Sequence, residues 1–309
     1  MVPSAPRVAV VVPSHGRPLR LRWLLDALAA QTVDARVVVV TDDADPPEVP
    51  AAVQLLRVGP CGPARKRNAG WRAVEADLVA FTDDDCRPAP TWLEELLRAH
   101  GGARGAAPLI VQGRVVVDPD ELGVKHASPW ARSQEVEPPS PFGQTANILY
   151  PRALLQRLGG FDEALPTAAG EDTDLLLRAL EAGARQVAAP GAVVFHAVEP
   201  GSLRARMRAA WRWQHLAAVV RRHPQLREHL VLRVFWQREH PLALLALAGL
   251  LLRRPWLALP YALAGLGRYG PGPRARARAA SELPGRLALD LVETAACARG
   301  GRRYRTWFL

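Results

Sequence analysis

The chain has 309 residues, 49% of them hydrophobic, enough to bury one large core or two ordinary ones. Its net charge of +10 is unevenly placed: residues 1–200 carry 20 Lys and Arg against 25 Asp and Glu, whereas residues 201–309 carry 20 against 5. The acidic balance of the first part argues against a nucleic-acid partner, and three scattered cysteines with no C-x-x-C pair indicate neither a zinc site nor a disulfide framework and fit a reducing cytoplasm.

The apolar run Val8–Val12 is too short for the core of a signal peptide and reads as a strand covered on both faces. After the turn PSHGRP, the leucines at 21, 24, 25 and 28 have the spacing of a helix face. RVVVV (36–40) predicts a second buried strand ending at the acidic turn TDDADPP, and LRV (56–58) a short third. GPARKRNAGWRAVEA predicts a helix entered through a Gly-Pro turn, and DLVAFT (77–82) a further strand. This β-α-β-α-β order implies a mostly parallel, doubly wound sheet, in which ligands bind beyond the carboxyl ends of the strands. The polar clusters SHGR, TDDAD and TDDDC all fall at that edge.

Further on, RVVV (114–117) predicts a strand, 118–145 a Pro-, Ser- and Gly-rich loop region, and NILY (147–150) a strand before a short helix ending at Gly159-Gly160. GEDTDLLLRALEAG predicts a helix with acids in its first turn, where the helix dipole favours them. VAAPGAVVFHAV predicts a closing strand pair. Trp71 and Trp92 fall on helix faces that point to the core.

Three consecutive aspartates after a buried strand repel one another unless a positive group sits among them. Asp83 and Asp85, two residues apart on a turn, suit a hard divalent ion such as Mn2+ or Mg2+ that also bridges substrate phosphates. The plainer reading is an exposed acidic turn.

The ordered motifs decide between these. PSHGR resembles the opening turn of the family 2 glycosyltransferases of the GT-A fold, with Gly16 where that family usually has Asn. VVVTDDADP resembles its nucleoside-gripping turn, GPARKRNAG with VAFTDDDCRP its Gly-x-Ala-x-Ala-Arg-Asn-x-Gly helix and Asp-x-Asp, and ANILYPRALLQRLGGFDE with GEDTDLLLRALEAG its acceptor-side segment and Glu-Asp motif. The resemblance spans about residues 7–198. It implies a nucleotide-sugar-dependent catalytic domain over 1–200, with Pro13, Ser14, Arg17, Arg67 and Asp84 on the donor and Asp42 or Asp43 on its base or ribose. It further implies Asp83 near the ribose and the metal, Asp85 as direct metal ligand, and Asp172 as general base, with neighbouring Glu171 and simple helix capping as the alternatives. His196, at the end of VVFHAV, reaches the metal or fills a core position; Asn147 orients the acceptor or closes a turn. The reaction so implied is an inverting sugar transfer to an acceptor hydroxyl.

Residues 201–309 form a different object. GSLRARMRAAWRWQHLAAVVRRHPQL is helical in pattern and rich in arginine; PLALLALAGLLL (241–252) and WLALPYALAGLG (256–267) are apolar, with RRP between them. A 12-residue helix reaches roughly 18 Å, short of a ~30 Å hydrocarbon core, and one continuous span would bury Arg253 and Arg254. Either the two helices pack on the protein, or they dip into one leaflet of an anionic membrane at its inner, cytoplasmic face. The second reading suits a lipid-linked or cell-envelope saccharide acceptor. The C-terminal Trp307-Phe308-Leu309 would pack or dip likewise. Processive synthases of the resembled family carry Gln-x-x-Arg-Trp; Ala209 precedes Arg212-Trp213 here, which favours addition of a single sugar. The competing classes are a nucleotidyltransferase, for which SHGRP is a poor loop, and a non-catalytic lipid or nucleic-acid binder.

Overall fold

The run VAVVVPS forms strand β1 (Val8–Ser14), buried along its whole length. Its side chains alternate between two covered faces, so no polar position interrupts it. Val8, Val10 and Val12 pack with Leu21, Leu24, Leu25 and Leu28 of α1 (Pro18–Ala29) and with Trp92, Leu93 and Leu96 of α3 (Trp92–Gly102). Val11 faces the other way, among Ala64 and Trp71 of α2 (Pro63–Arg72) and Phe81 and Tyr150. The structure is a computed structural model and describes residues 6–102 and 105–309.

The sheet also contains β2 (Arg36–Thr41), β3 (Gln54–Arg57), β4 (Leu78–Phe81), β5 (Cys86–Pro88), β6 (Leu109–Val117), β7 (Ile148–Pro151) and β8 (Arg185–His196), in the order β3-β2-β1-β4-β7-β6-β8-β5. β1 is parallel to β2 and β4, and β2 to β3, with Ser14 level with Thr41 and Val11 with Phe81. The three polar clusters therefore emerge at one edge, as the strand order predicts. β7 runs antiparallel to β4 and β6, and β5 to β8, so the sheet is mostly parallel with antiparallel strands set into it.

Two departures from the sequence reading matter for the site. VAAPGAVVFHAV is not a strand pair but the body of one long strand, β8, with its extra residues bulged around Pro190-Gly191. The Pro-Gly step that looked like a turn is absorbed as a bulge, which such residues tolerate. The end of β8 pairs with the three-residue β5, Cys86 opposite His196, and this pairing carries His196 to the aspartate cluster. β5 is too short to leave a pattern in the sequence.

α2 packs so closely on the sheet that Gly70 is required: a Cβ there would strike Val11 and come within 3.2 Å of Val40. Helices α4 (Leu122–Ala127), α5 (Arg152–Leu158) and α6 (Glu171–Glu181) complete this unit, which comprises the chain up to Ala127 together with Arg132–Glu199.

The second unit, Ser128–Ala131 with Pro200–Leu309, is helical. It holds α7 (Leu203–Ala210), α8 (Leu216–Arg222), α9 (Glu239–Leu251), α10 (Leu259–Leu266) and the 32-residue α11 (Pro273–Tyr304). Ala243, Ala246 and Tyr261 form its small core with Leu283, Leu287 and Leu291. Phe308 of the C-terminal tripeptide is buried and Trp307 exposed. Among the described residues no helix is long and apolar enough to cross a membrane.

Candidate active site

The three aspartates after β4 point in two directions. Asp84 turns inward, its side chain 3% exposed, while Asp83 and Asp85 lean outward at 25% and 15%. Asp84 accepts from Arg17 Nη1 at 2.8 Å and from the His15 backbone N–H at 2.9 Å. Burial, with Asp85 as neighbour, raises its carboxyl above the ordinary value, and Arg17 and the His15 N–H oppose that. Asp84 is thus the clamp that ties the β1 turn to the β4 end. Expected on the donor from the sequence, Asp84 is enclosed, its carboxylate bonded to Arg17 and the His15 N–H.

Arginine supplies part of the positive charge the triplet needs. Arg17 bonds Asp84 and lies 3.2 Å from Asp85 Oδ2. Burial opposes its charge, but Asp85 and Asp84 outweigh that and hold the guanidinium firmly protonated. Arg67, 4% exposed, donates from Nη2 to Asp83 and from Nη1 to Glu171, each at 2.9 Å. Here too burial works against the charge, and Asp83, Asp172 and Glu171 together prevail. One buried guanidinium therefore joins the end of β4 to the start of α6.

At the start of α6, Glu171 is buried and its Oε2 has no hydrogen-bond partner. Burial, then the charge of Asp172, push its carboxyl well above the usual range, against the pull of Arg67. Asp172 is half-buried and accepts on Oδ2 from the Thr145 N–H at 3.2 Å and the Thr145 hydroxyl at 3.3 Å. It reaches across to another segment rather than serving as a cap; the N-cap is Gly170, which makes no side-chain cap bond.

Beyond β1 and β2, the Gly16 N–H donates to both oxygens of Asp43, at 3.1 and 3.0 Å, and His15 Nδ1 lies 2.9 Å from Asp42 and 3.0 Å from Asp43. Asp42 also accepts from the Cys61 N–H and pairs with buried Lys66, whose Nζ donates to the Ser14 carbonyl. Burial alone would raise Asp42; the Lys66 and Cys61 bonds reverse this and hold it at about 2. Pro13 and Ser14 are themselves buried, so the exposed part of this turn is His15–Arg17. Lys66, His15 and Thr145 are the residues sequence reasoning missed. Lys66 left one signal: it and Lys125 are the only lysines in a chain whose basic residues are otherwise all arginine.

His196 comes to within 3.6 Å of Asp85, Nε2 to Oδ1. Its Nδ1 lies 2.8 Å from the Ala197 carbonyl, which can only accept, so Nδ1 carries a proton and Nε2 is the ring atom turned toward Asp85. Cys86 is close to both; burial and then Asp85 and Asp83 push its thiol far up, and its soft sulfur suits a hard cation less well than the oxygen and nitrogen donors beside it.

Asn147 is fully buried, its Oδ1 accepts from Trp92 Nε1 at 2.8 Å, and its Nδ2 donates to the Arg114 and Ala192 carbonyls at 2.9 and 2.8 Å. Both amide hydrogens are used, in a structural clip between β6, β8 and α3, whichever of the two expected roles Asn147 has. Trp71 and Trp92 are core residues, as their helix faces imply.

Comparisons with known proteins show what the chain is similar to. Residues 6–215 match the family described as "Glycosyltransferase like family 2". The chain is 33% identical over 217 residues to the pre-mycofactocin glycosyltransferase of Mycobacterium tuberculosis, covering 63% of this chain and 43% of that protein. It is 29% identical over 215 residues to the O-antigen biosynthesis protein RfbC of Myxococcus xanthus, 60% of this chain and 17% of that one. The matched segment thus spans less than half of either relative. Among solved structures, the mannosyltransferase PcManGT of Pyrobaculum calidifontis, in complex with GDP-Man and Mn2+, superimposes with a TM-score of 0.56 at 22% identity, covering 96% of this chain and 87% of that one. GalNAc-T7, with UDP, GalNAc and Mn2+, gives 0.52 at 16% identity over 70% and 48%. Both likenesses are likenesses of fold.

Proposed function

The chain belongs to the family 2 glycosyltransferases, and from that membership we propose that it moves a sugar from a nucleotide-sugar donor to an acceptor hydroxyl, with inversion and with a divalent metal on the donor side. The observation that carries this reading is the Arg67 bridge: one buried guanidinium holds Asp83, on the donor side, and Glu171, beside the base, at 2.9 Å each. An in-line displacement needs a proton acceptor on one side of the sugar and charge compensation on the other. The bridge fixes the spacing of those two acidic groups.

Asp172 is the general base in this reading. Thr145 fixes its Oδ2 through two donors, which orients the carboxylate to take the proton of the attacking hydroxyl. Glu171, raised by burial, is the positioning residue that anchors Arg67. Asp42 and Asp43 hold the β1 turn and face the nucleoside, and Arg17 offers a half-exposed guanidinium to the diphosphate. Asp85 and His196 Nε2 would hold the metal, with Asp83 beside them; oxygen donors and an imidazole suit Mn2+ or Mg2+. When bound, the ion offsets the charge that grows on the departing nucleoside diphosphate.

The acceptor is read as a saccharide or lipid-linked saccharide receiving one sugar, with the protein cytoplasmic and peripheral at the inner face of the cell membrane. The arginine-rich region 201–309 and Ala209 in place of the processive glutamine support this. The deciding experiment measures what leaves the donor. Wild type is expected to release a nucleoside diphosphate, and Asp172→Asn to lower kcat about 10²–10⁴-fold with donor affinity kept. Release of pyrophosphate, or full activity in Asp172→Asn, would overturn the assignment.

A further inference from the structure

The turn between α9 and α10 leaves an apolar surface uncovered. Leu250, Leu251, Leu252, Trp256, Leu259 and Leu263 are each more than half exposed. Only one side of α9 is buried, through His240, Ala243, Ala246 and Gly249, although the helix is apolar nearly all round, a pattern that normally requires cover on every side. The turn is a built feature rather than a loose loop. The Arg254 N–H donates to the Gly249 carbonyl at 2.8 Å, and a Cβ on Gly249 would lie 2.8 Å from both the Arg254 carbonyl oxygen and Leu257 Cβ, so glycine is required for the tight return.

The charge around this surface has one sign. No Asp or Glu occurs between Glu239 and Glu282, while that stretch carries Arg253, Arg254, Arg268, Arg274, Arg276 and Arg278. Arg253 and Arg254 are exposed at the turn, and the Arg254 guanidinium lies 5.5 Å from the centre of the Trp256 ring. A second copy of the chain meeting this patch symmetrically would oppose arginine to arginine, with no carboxylate in the stretch to relieve it. A surface of lipid phosphates complements both the charge and the apolar tip. At 13 residues, α9 reaches about 20 Å and cannot span a bilayer.

We propose that the α9–α10 turn docks the protein on an anionic bilayer, with the exposed leucines and Trp256 seated at the acyl boundary and Arg253 and Arg254 on headgroup phosphates. This inference stands on the helical unit alone and does not depend on the transferase reading.

The test is co-sedimentation of the full chain with vesicles of phosphatidylcholine, with and without phosphatidylglycerol, at low salt and without detergent. Wild type is expected to bind the anionic vesicles only, and to release in high salt. Arg253→Gln and Arg254→Gln should each weaken partitioning about fivefold, and Leu251→Ser with Leu252→Ser at least about tenfold. Tryptophan quenching by brominated lipid should fall in Trp256→Phe. All these positions are exposed, so unchanged thermal midpoints will confirm that the variants fold. Inorganic phosphate at equal charge should not displace the vesicles, which separates a bilayer from a free-phosphate site. The proposal is overturned if wild type ignores anionic vesicles, if neither variant set changes binding, or if sedimentation shows a dimer that Leu251→Ser with Leu252→Ser dissolves.

Discussion

Replacing Arg67 by methionine removes a buried cation that serves two carboxylates. The side chain is nearly isosteric over its stem, so the change is chiefly one of charge. It leaves Asp83 without its 2.9 Å partner and, more seriously, leaves Glu171 buried beside Asp172 with nothing to compensate it. Breaking a buried pair from one side costs about 3–5 kcal/mol, a large share of the 5–15 kcal/mol typical of a domain. The loss depends on pH in a definite sense. Glu171 is raised by burial and by Asp172 above its ordinary 4.5, and without Arg67 it rises further. A carboxyl raised in the folded state contributes its stability at low pH and loses it as pH climbs through the folded value. Because Glu171 is already raised well above the usual range with Arg67 present, the added deficit of Arg67→Met should grow only as pH rises above that range, and be larger at pH 9 than at pH 7. Urea unfolding at the two pH values, followed by a probe of the sheet-bearing unit, measures it. Arg67→Lys keeps the charge but satisfies only one carboxylate, for a loss of about 1.5–3 kcal/mol. Adding Glu171→Gln to Arg67→Met should restore about 2 kcal/mol. A loss under about 1 kcal/mol, independent of pH and not relieved by Glu171→Gln, would refute the bridge.

Two further predictions concern other parts of the molecule. Asn147→Ala orphans the Trp92 indole N–H and two carbonyl acceptors, and should cost about 3 kcal/mol; acceptor KM in the folded enzyme should not change, which distinguishes a clip from an acceptor contact. Asp290 accepts from Tyr261 at 2.6 Å, and burial, with Glu293 and Glu239 nearby, pushes it up to about 6 from 3.8. The helical unit should lose up to about 3 kcal/mol as pH rises from about 4 to 7. Asp290→Asn should flatten that dependence in thermal melts, and an unchanged profile would remove Asp290 as its cause.

Much of the sheet was legible because its central strands are buried on both faces. Runs such as VAVVV and RVVVV admit few other readings, and the leucines of α1 sit at the positions that reach the core. The strand-end aspartates followed from the same logic, since a parallel order sends its loops to one edge. What the sequence hid was contact between distant segments. Nothing local in TDDDC says that Asp84 turns inward while its neighbours turn outward; that depends on His15 and Arg17 arriving from β1. The sequence left Asn147 open between an acceptor contact and a turn, and only the packing of β6, β8 and α3 shows where its amide hydrogens go. The pairing of Cys86 with His196 rests on a three-residue strand, below the length at which periodicity informs. In the helical unit the apolar runs and the Arg-Arg-Pro break were readable, but which leucines remain exposed is a property of the packed helices.

The central claim is a metal-dependent nucleotide site at the end of β4. Calorimetric titration of UDP, GDP and dTDP into the full chain, in Mn2+ and in EDTA, with wild type and Asp85→Ala, tests it most directly. The account predicts that one nucleotide binds in Mn2+ and that EDTA or Asp85→Ala abolishes the binding while circular dichroism stays unchanged. Nucleotide binding that persists in EDTA and in Asp85→Ala, or no binding of any nucleotide to the folded wild type, would contradict it.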